Sequence, residues 1–292
     1  ISTVDLGNDQ NICSGDSVLL DAGAGHTNYL WSTGDTTQTI YASAAGTYNV
    51  TVGNGTPVSN SNSLSFDGVD DYVEITDHPT LDLGTDNFTV FSWIKLNSYS
   101  EEGIFDHFDV QGGNCSRLNF RINVDGTLRL SLKDEICNYF TASTDYILSD
   151  TNWHFVSVTF KYNSENVNFY IDGNLETHNV TQSGISNPIN PDGNVLIGQY
   201  GSTYTTDGLI NHVAFWNIAL SQSEIQNYMS CPPTGNEAGL VGYWNFNEGS
   251  GNTVTDLTSN GNNGTINGAS WSTQTPNQYC NNCIATDSVV VN

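Results

Sequence analysis

Short segments in which apolar and polar residues alternate recur along this chain and predict β-strands. Residues 153–160 and 167–171 show the pattern most clearly. A period of two places successive side chains on opposite faces of a strand, so each segment has one buried side and one solvent-facing side. Asp172-Gly173 follows the second segment, and Asp-Gly favours a tight hairpin turn because both central residues need positive φ. We therefore expect antiparallel strands in this region.

One segment has the pattern of a helix instead. Ser221 is followed by Glu224, and an N-cap Ser with Glu three residues later satisfies two backbone N–H groups reciprocally. A short helix is therefore predicted from Ser221 to about Met229, and no other segment gives a comparable signal. Since 37% of the 292 residues are apolar and Gly, Asn, Ser and Thr are abundant, the sequence predicts an all-β protein of about two domains.

The N-terminal region differs in character from the rest. Its short alternating segments are separated by Gly, Asn and Asp turns and cover residues 17–22, 28–35, 38–41 and 46–52. A spacing of about ten residues between such segments is typical of a β-sandwich. One last strand is missing from this region, and residues 283–292 have the pattern of a final strand.

Six blocks in order along the chain resemble the laminin-G-like family of concanavalin A-type jelly rolls. They are residues 64–73, 153–156, 169–173, 197–198, 208–225 and 239–264. The resemblance covers roughly residues 60–272 and implies a concanavalin A-like jelly-roll sandwich. Asn211 stands where the family usually carries Asp, so a role that depends on that carboxylate is not carried over.

A second resemblance concerns the N-terminal region. Residues 12–17, 29–34 and 45–48 are similar to the immunoglobulin-like repeats of long bacterial surface proteins. We therefore predict that residues 1–55 and 281–292 form a small immunoglobulin-like β-sandwich, with a laminin-G-like jelly roll of residues 56–280 inserted in its last hairpin. The alternative is that residues 284–292 begin a separate repeat.

The charge of the chain is strongly one-sided. The formal net charge is −25, and all six Lys and Arg residues lie between positions 95 and 161. Nucleic acid or an anionic membrane surface is therefore disfavoured as a partner, because binding to phosphate needs Lys and Arg. Metal cations are the natural counter-charge, although the acids could also simply solvate the surface. Arg117, Arg121 and Arg129 are expected on a solvated strand face, where ion pairs contribute about 0–1 kcal/mol each.

Six cysteines form an even set. Cys280 and Cys283 are the only C-x-x-C spacing, and without a second pair or a His partner this disfavours a zinc or redox site. Disulfides in an oxidising compartment fit better, and they predict a secreted or cell-surface protein. The inserted arrangement predicts the pairs Cys13–Cys283, Cys115–Cys137 and Cys231–Cys280, whereas the sequence alone permits about fifteen connectivities. No apolar stretch is long enough for direct membrane insertion.

The sequence offers no catalytic residues that we can assign. Glycoside hydrolases of this shape need two carboxylates, which come as Glu-x-Asp-x-Glu on one strand, and the chain lacks that pattern. Gly-x-Ser-x-Gly and His-Glu-x-x-His are also absent. The sequence therefore favours a protein that is not an enzyme, and a hydrolase is the least favoured alternative.

Calcium is the predicted cofactor, since it takes oxygen ligands from Asp, Asn and backbone carbonyls on loops. The candidates are loop residues of the jelly roll, which the resemblance implies could lie near one another. They are Asp256, Asn260, Asn262, Asp67, Asp70 and Asp71. The alternative is that these Asx-Gly-rich segments are only turns.

A sugar site would use exposed aromatic rings. Tyr200 and Tyr204 lie in the polar loop 199–207, and Tyr99 and Tyr139 lie on other predicted loops. An aromatic residue among Gly, Ser and Thr in a loop is less easily buried than one in a strand pattern. These four residues are the predicted ligand-binding set, whereas the tryptophans in strand patterns (Trp93, Trp153, Trp216 and Trp244) are expected in the core.

Together these features predict a non-enzymatic module for extracellular adhesion or recognition of a glycan, supported by calcium. An extracellular protein is the other partner class. A rival hypothesis is a structural repeat of a surface fibre, sheath or long adhesin that binds copies of itself.

Overall fold

The computed structural model describes residues 4–13, 15–26, 28–53, 56–58, 60–108, 115–201, 203–280 and 284–292. Two compact units account for the chain, residues 60–277 and the two flanking segments 1–59 and 278–292. Both units are built almost entirely of strands. The strands up to residue 147 are β1 (Val18–Asp21), β2 (Asn28–Trp31), β3 (Thr39–Ala42), β4 (Gly46–Gly53), β5 (Thr56–Pro57), β6 (Ser63–Asp67), β7 (Tyr72–Ile75), β8 (Phe88–Leu96), β9 (Glu102–Phe108), β10 (Arg117–Ile122), β11 (Thr127–Lys133) and β12 (Tyr139–Ile147).

The remaining elements complete the second unit and return to the first. They are β13 (His154–Lys161), a 3-10 turn (Tyr162–Ser164), β14 (Asn166–Ile171), β15 (Asn174–Glu176), β16 (His178–Gln182), β17 (Val195–Ile197), β18 (Gln199–Tyr200), β19 (Tyr204–Thr205), β20 (Asp207–Trp216), α1 (Gln222–Ser230), β21 (Leu240–Trp244), β22 (Thr253–Val254), β23 (Gly264–Asn267), β24 (Ser270–Ser272), β25 (Tyr279–Cys280) and β26 (Ile284–Val291).

The smaller unit joins the two ends of the chain. Strand β26 pairs antiparallel with β4, with Val289 opposite Tyr48, and β2 pairs with the other edge of β4. Strand β1 pairs with β3, and the side chains of Trp31, Val50 and Val289 are buried in the core of this unit. The final strand therefore lies beside β4, as the sequence predicts, and the unit extends a few residues beyond the predicted boundaries. Its assignment as immunoglobulin-like stays a prediction.

The larger unit is a sandwich of two antiparallel sheets. One has the strand order β16-β12-β11-β10-β9-β17-β7-β23-β22, and the other has β15-β14-β13-β8-β20-β6-β24, with β21 also paired to β20. Buried side chains of both sheets form one core. Ring contacts cross it between Phe105 and Phe215 and between Phe140 and Phe160, with centroids 5.2 Å and 5.0 Å apart. The predicted all-β sandwich is confirmed.

Two local predictions from the sequence are also confirmed. Helix α1 begins after Ser221, whose hydroxyl accepts the Glu224 N–H while the Glu224 carboxylate accepts the Ser221 N–H. Asp172 and Gly173 both have positive φ and join β14 to β15, while β13 and β14 pair antiparallel. Local side-chain chemistry determines both features, which explains why the sequence predicts them.

The predicted core tryptophans divide into two groups. Trp216 and Trp244 are fully buried, whereas Trp93 and Trp153 are only half-buried. Trp216 packs with Phe91, Phe155 and helix α1 on the side of the second sheet that faces away from the main core. The alternating pattern identifies a strand but does not tell which of its faces another element will cover.

Candidate functional site

Strands β10, β11 and β12 have one apolar face and one polar face. Leu118, Phe120 and Leu130 belong to the buried core, as the alternating pattern requires. In register on the other face, Arg117 pairs with Lys133, and Arg121 pairs with Arg129. Like charges directly opposite each other destabilise a sheet, so this face needs another reason for its composition.

Arg117 has a carboxylate partner. Its Nε and Nη2 atoms donate to the two oxygens of Asp106 at 2.9 and 2.6 Å, and the Asp106 side chain is completely buried. Burial raises the pKa of Asp106, and the adjacent Arg117 guanidinium acts in the opposite direction. Asp106 also accepts the Gly201 N–H at 2.8 Å. The carboxylate therefore holds both an arginine and the loop that follows β18.

Arg121 differs from Arg117 because its partners are neutral. Its side chain is buried, with 7% of the residue exposed, and Nη1 donates to Asn119 Oδ1 at 2.6 Å and to Ser131 Oγ at 3.4 Å. Its Nε atom is buried without a hydrogen-bonding partner in the described part of the chain. Among the described residues, no carboxylate lies within ion-pair distance of Arg121 or Arg129.

The environment of Arg121 disfavours its charge. Burial lowers the pKa of Arg121, and the nearby Arg129 and Arg117 lower it further, against the opposing influence of Tyr200 and Glu101. The alternating pattern predicts that Arg117, Arg121 and Arg129 lie on a solvated face. For Arg121 the prediction is wrong, because the side chain is buried. The residue lies on the outer face of its strand, but a loop far away in the sequence covers it.

That covering loop is the short β18–β19 hairpin. The Tyr200 ring lies 4.6 Å from the Arg117 guanidinium and 4.4 Å from that of Arg121, and it stacks on Tyr204 with centroids 5.4 Å apart. Gly103 allows the hairpin to approach, because an added Cβ would collide with the Gln199 backbone. Two stacked rings thus hold two guanidinium groups at one side of the sheet.

These residues surround a cavity of about 210 Å³, called here the arginine cavity. Its lining includes Arg117, Arg121, Arg129, Lys133, Tyr139 and Tyr200, together with the hydroxyl-bearing Ser131 and Thr141. Tyr139 is 48% exposed, so much of its ring is available to a ligand. The described lining contains cations, hydroxyl groups and aromatic rings, but no carboxylate.

The structure brings together three of the four predicted sugar-binding tyrosines. Tyr200 and Tyr139 line the arginine cavity, and Tyr204 stacks on Tyr200. Tyr99 does not line it; its hydroxyl group donates to the Asp150 carbonyl at 2.5 Å and its ring packs on the core. Sequence reasoning missed the arginines as site residues. Their period-two spacing, in the segment that holds every basic residue, was the available signal.

The predicted calcium ligands fall into two sets. Asp67, Asp70 and Asp71, called here the acidic turn, bring carboxylate oxygens within 4.8 Å of one another. Asp67 accepts the Val69 N–H and Asp71 accepts the Asp67 N–H, both at 2.9 Å. Burial raises the pKa of Asp71; the bond from the Asp67 N–H opposes this, and the Asp67 and Asp70 charges add to it. A hard cation suits such a set of oxygen donors.

The second set is already hydrogen-bonded within its own loop. The Asp256 carboxylate accepts the N–H groups of Tyr243, Thr258 and Asn262 and the Thr258 hydroxyl, at 2.8–3.1 Å. The Asn260 side chain donates to the Val241 carbonyl at 2.8 Å. Asn262 Nδ2 donates to Thr80 Oγ1 at 3.1 Å. These contacts organise a turn and use much of the hydrogen-bonding capacity that a metal would require.

One disulfide lies close in sequence to two residues of the arginine cavity. Cys115 and Cys137 form a disulfide with Cα atoms 5.0 Å apart, so the bond links positions two residues before Arg117 and two before Tyr139. Cys231 and Cys280 each take part in a disulfide. Cys13 is exposed, and its predicted partner Cys283 lies outside the described residues.

No helix in the described part of the chain is long and apolar enough to cross a membrane.

A family model described as the concanavalin A-like lectin/glucanases superfamily (laminin G type) matches residues 67–226, more than half of the chain. A "putative carbohydrate binding protein" from Bacteroides ovatus has a similar structure, with a TM-score of 0.59 and 16% identity over 96% of this chain and 100% of that one. That identity level supports a shared fold. No curated protein matches the sequence.

Two further solved structures are less similar. The CBM40 of the Ruminococcus gnavus IT-sialidase has a TM-score of 0.41 at 12% identity, over 56% of this chain and 95% of that one. Domains LG4-5 of the mouse laminin alpha1 chain have a TM-score of 0.42 at 13% identity, over 58% of this chain and 45% of that one.

Proposed function

The chain belongs to the concanavalin A-like lectin/glucanases superfamily, and from this premise we propose that it is a non-catalytic carbohydrate-binding module whose binding site is the arginine cavity. One observation carries the proposal: a cavity on the outer face of a jelly-roll sheet combines a half-exposed tyrosine with hydroxyl and guanidinium donors. Aromatic rings and a few placed polar groups are what a saccharide site requires.

The size and lining of the cavity fit binding better than hydrolysis. At about 210 Å³ it is smaller than the roughly 300–1,000 Å³ typical of drug-sized ligand sites, which suits a single sugar residue at the end of a chain or in an exposed branch. Hydrolysis of a glycosidic bond needs two carboxylates close to the scissile bond. The described lining offers none, and the nearby Asp106 is held by Arg117 and Gly201.

Binding to a glycan array, followed by calorimetry on the best ligand, tests the proposal. Tyr139→Ala should weaken binding about 2- to 10-fold, because it removes an aromatic contact worth roughly 0.5–1.5 kcal/mol. Tyr146→Ala is the matched control, since Tyr146 lies on the same strand with similar exposure, 47%, but outside the cavity. No binding to any glycan, or equal losses in both variants, would refute the proposal.

We further propose that one calcium ion binds at the acidic turn. Three carboxylates within 4.8 Å supply the hard oxygen donors that calcium takes. Burial, with a smaller contribution from the Asp67 and Asp70 charges, raises the pKa of Asp71, and a cation would offset that repulsion. Bound calcium would supply positive charge and fix the geometry of this loop. Asp67, Asp70 and Asp71 are the residues that would hold it.

We place this activity outside the cell, because disulfides persist in oxidising compartments and four of the cysteines are disulfide-bonded. Adhesion through an extracellular protein and self-association in a surface fibre stay as predictions from the sequence. Light scattering over a range of protein concentrations measures the second of these directly.

A further inference from the structure

We propose that the saccharide bound in the arginine cavity is an acidic one, and that Arg121 and Arg129 bind its anionic group. This inference rests on the proposed carbohydrate-binding function and names the class of ligand. It starts from a buried cation that has no ion-pair partner among the described residues.

Arg121 is the central observation. A buried charge is costly unless it is paired, and arginine cannot avoid the cost by losing its proton at neutral pH. Among the described residues its side chain nevertheless hydrogen-bonds only to Asn119 and Ser131 and lies against the Tyr200 ring, and its buried Nε lacks a partner. Glu101 acts on its charge without forming an ion pair. A ligand that brings an anionic oxygen would supply what the protein does not.

The composition of the chain makes this arrangement informative. The sequence has 31 acidic residues for only six basic ones, so carboxylates were abundantly available as partners. Four of the six basic residues nevertheless line this single cavity: Arg117, Arg121, Arg129 and Lys133. In a protein with a net charge of −25, a cavity lined by cations and without a carboxylate points to an anionic ligand.

The geometry assigns different tasks to the arginines. Arg117 is committed to Asp106 through two hydrogen bonds, so we treat it as a positioning residue. Arg121 and Arg129 lie opposite each other on β10 and β11 and both contact Ser131 Oγ at 3.4 Å. Planar guanidinium groups bind carboxylate and sulfate oxygens in pairs, which gives direction as well as strength.

The anionic group could belong to a uronic acid, a sialic acid or a sulfate ester, so the experiment uses one matched pair of probes for each. The pairs are polygalacturonate with its fully methyl-esterified form, 3′-sialyllactose with lactose, and a sulfated galactan with its desulfated form. Calorimetry should show at least one acidic probe binding about tenfold or more tightly than its neutral counterpart. The pair that responds identifies the source of the charge.

The variants locate the effect in the cavity. Arg121→Met and Arg129→Gln should each weaken binding of the acidic probe about 10- to 100-fold, because each removes charge-assisted hydrogen bonds. Lys161→Gln is the control, because it removes one positive charge from an exposed residue outside the cavity and should leave the affinity unchanged.

The possible results separate the two proposals. If neutral and acidic partners of every pair bind equally, the protein is a carbohydrate-binding module but its ligand is not selected by charge, and the inference is overturned. If none of the probes and no array glycan binds, the proposed function itself fails. If Arg121→Met does not fold, Arg129→Gln decides, since Arg129 is less buried.

Discussion

The arginine cavity and the acidic turn both gather like charges, but they satisfy those charges in different ways. In the acidic turn, Asp67 and Asp71 accept backbone N–H groups from within the turn, and Asp70 is exposed to water. In the arginine cavity, Arg121 is buried and one of its donors has no partner in the described structure. The local backbone supplies partners to Asp67 and Asp71, whereas among the described residues nothing accepts a hydrogen bond from Arg121 Nε.

The difference follows from side-chain length. A short Asp side chain reaches the backbone of its own turn, so a cluster of them is stable without any further group. An Arg side chain carries five donors at the end of a long stem and must find its acceptors elsewhere in the fold. A cluster of unpaired arginines therefore gives a stronger indication of a ligand than a cluster of turn aspartates.

The largest effects are expected from replacing two arginines of the cavity, Arg117, which is paired with a carboxylate, and Arg121, which is not. Arg117→Met should lower the free energy of unfolding by about 3 kcal/mol, because it leaves the buried Asp106 carboxylate without its cation. Arg121→Met should leave that free energy unchanged or raise it, because no carboxylate depends on Arg121. Urea denaturation at neutral pH measures both.

The loss in Arg117→Met should depend on pH. Burial raises the pKa of Asp106, so the folded protein binds that proton more tightly than the unfolded chain does. The stability of the variant should therefore recover as the pH falls through the folded-state pKa, when the carboxyl group becomes neutral. Equal losses in the two arginine variants, or a loss in Arg117→Met that does not change with pH, would contradict this account.

Removing the Cys115–Cys137 disulfide should have the next largest effect on stability and binding. Cys115→Ser combined with Cys137→Ser should lower the free energy of unfolding by about 3 kcal/mol, since it opens a loop with a sequence separation of 22. It should also weaken glycan binding, because Arg117 and Tyr139 lie close to the bond. Cys231→Ser with Cys280→Ser is the control: these cysteines do not line the cavity, so glycan affinity should persist.

Calcium at the acidic turn should give the smallest effect. At ten times its dissociation constant, calcium should raise the free energy of unfolding by about 1.4 kcal/mol, through its preference for the folded state. Scanning calorimetry with calcium, with magnesium and with a chelator measures the shift, which Asp71→Asn should abolish. If calcium and magnesium act alike, or if Asp71→Asn still responds, the ion does not bind at this turn.

Much of the fold could be predicted locally. The alternating segments identify β13 and β14, and the Ser221 and Glu224 pair marks the start of α1. The pattern of the last residues indicates the strand that pairs with β4. Each of these features depends on neighbouring residues or on the period of hydrophobic positions. Neither requires knowledge of which strands and helices pack together.

The candidate site could be predicted only in part. Tyr200 and Tyr204 stand out because aromatic rings among small polar residues are difficult to bury in a loop. Tyr139 is predicted on a loop but begins strand β12. The role of Arg121 could not be foreseen, because the same alternation describes an exposed arginine and a covered one. What covers it is Tyr200, 79 positions further along the chain.

The sequence by itself determined the strands, the face to which each side chain belongs, the helix cap and the concentration of basic residues in one segment. Those features depend on backbone geometry and on contacts between near neighbours. Only the tertiary structure decided that a hairpin from another part of the chain would bury Arg121, with no carboxylate in ion-pair distance among the residues the structure describes. The burial of a side chain and its hydrogen-bonding partners depend on the residues that surround it in space. For Arg121 some of those residues come from distant segments, which reach it only when the chain folds.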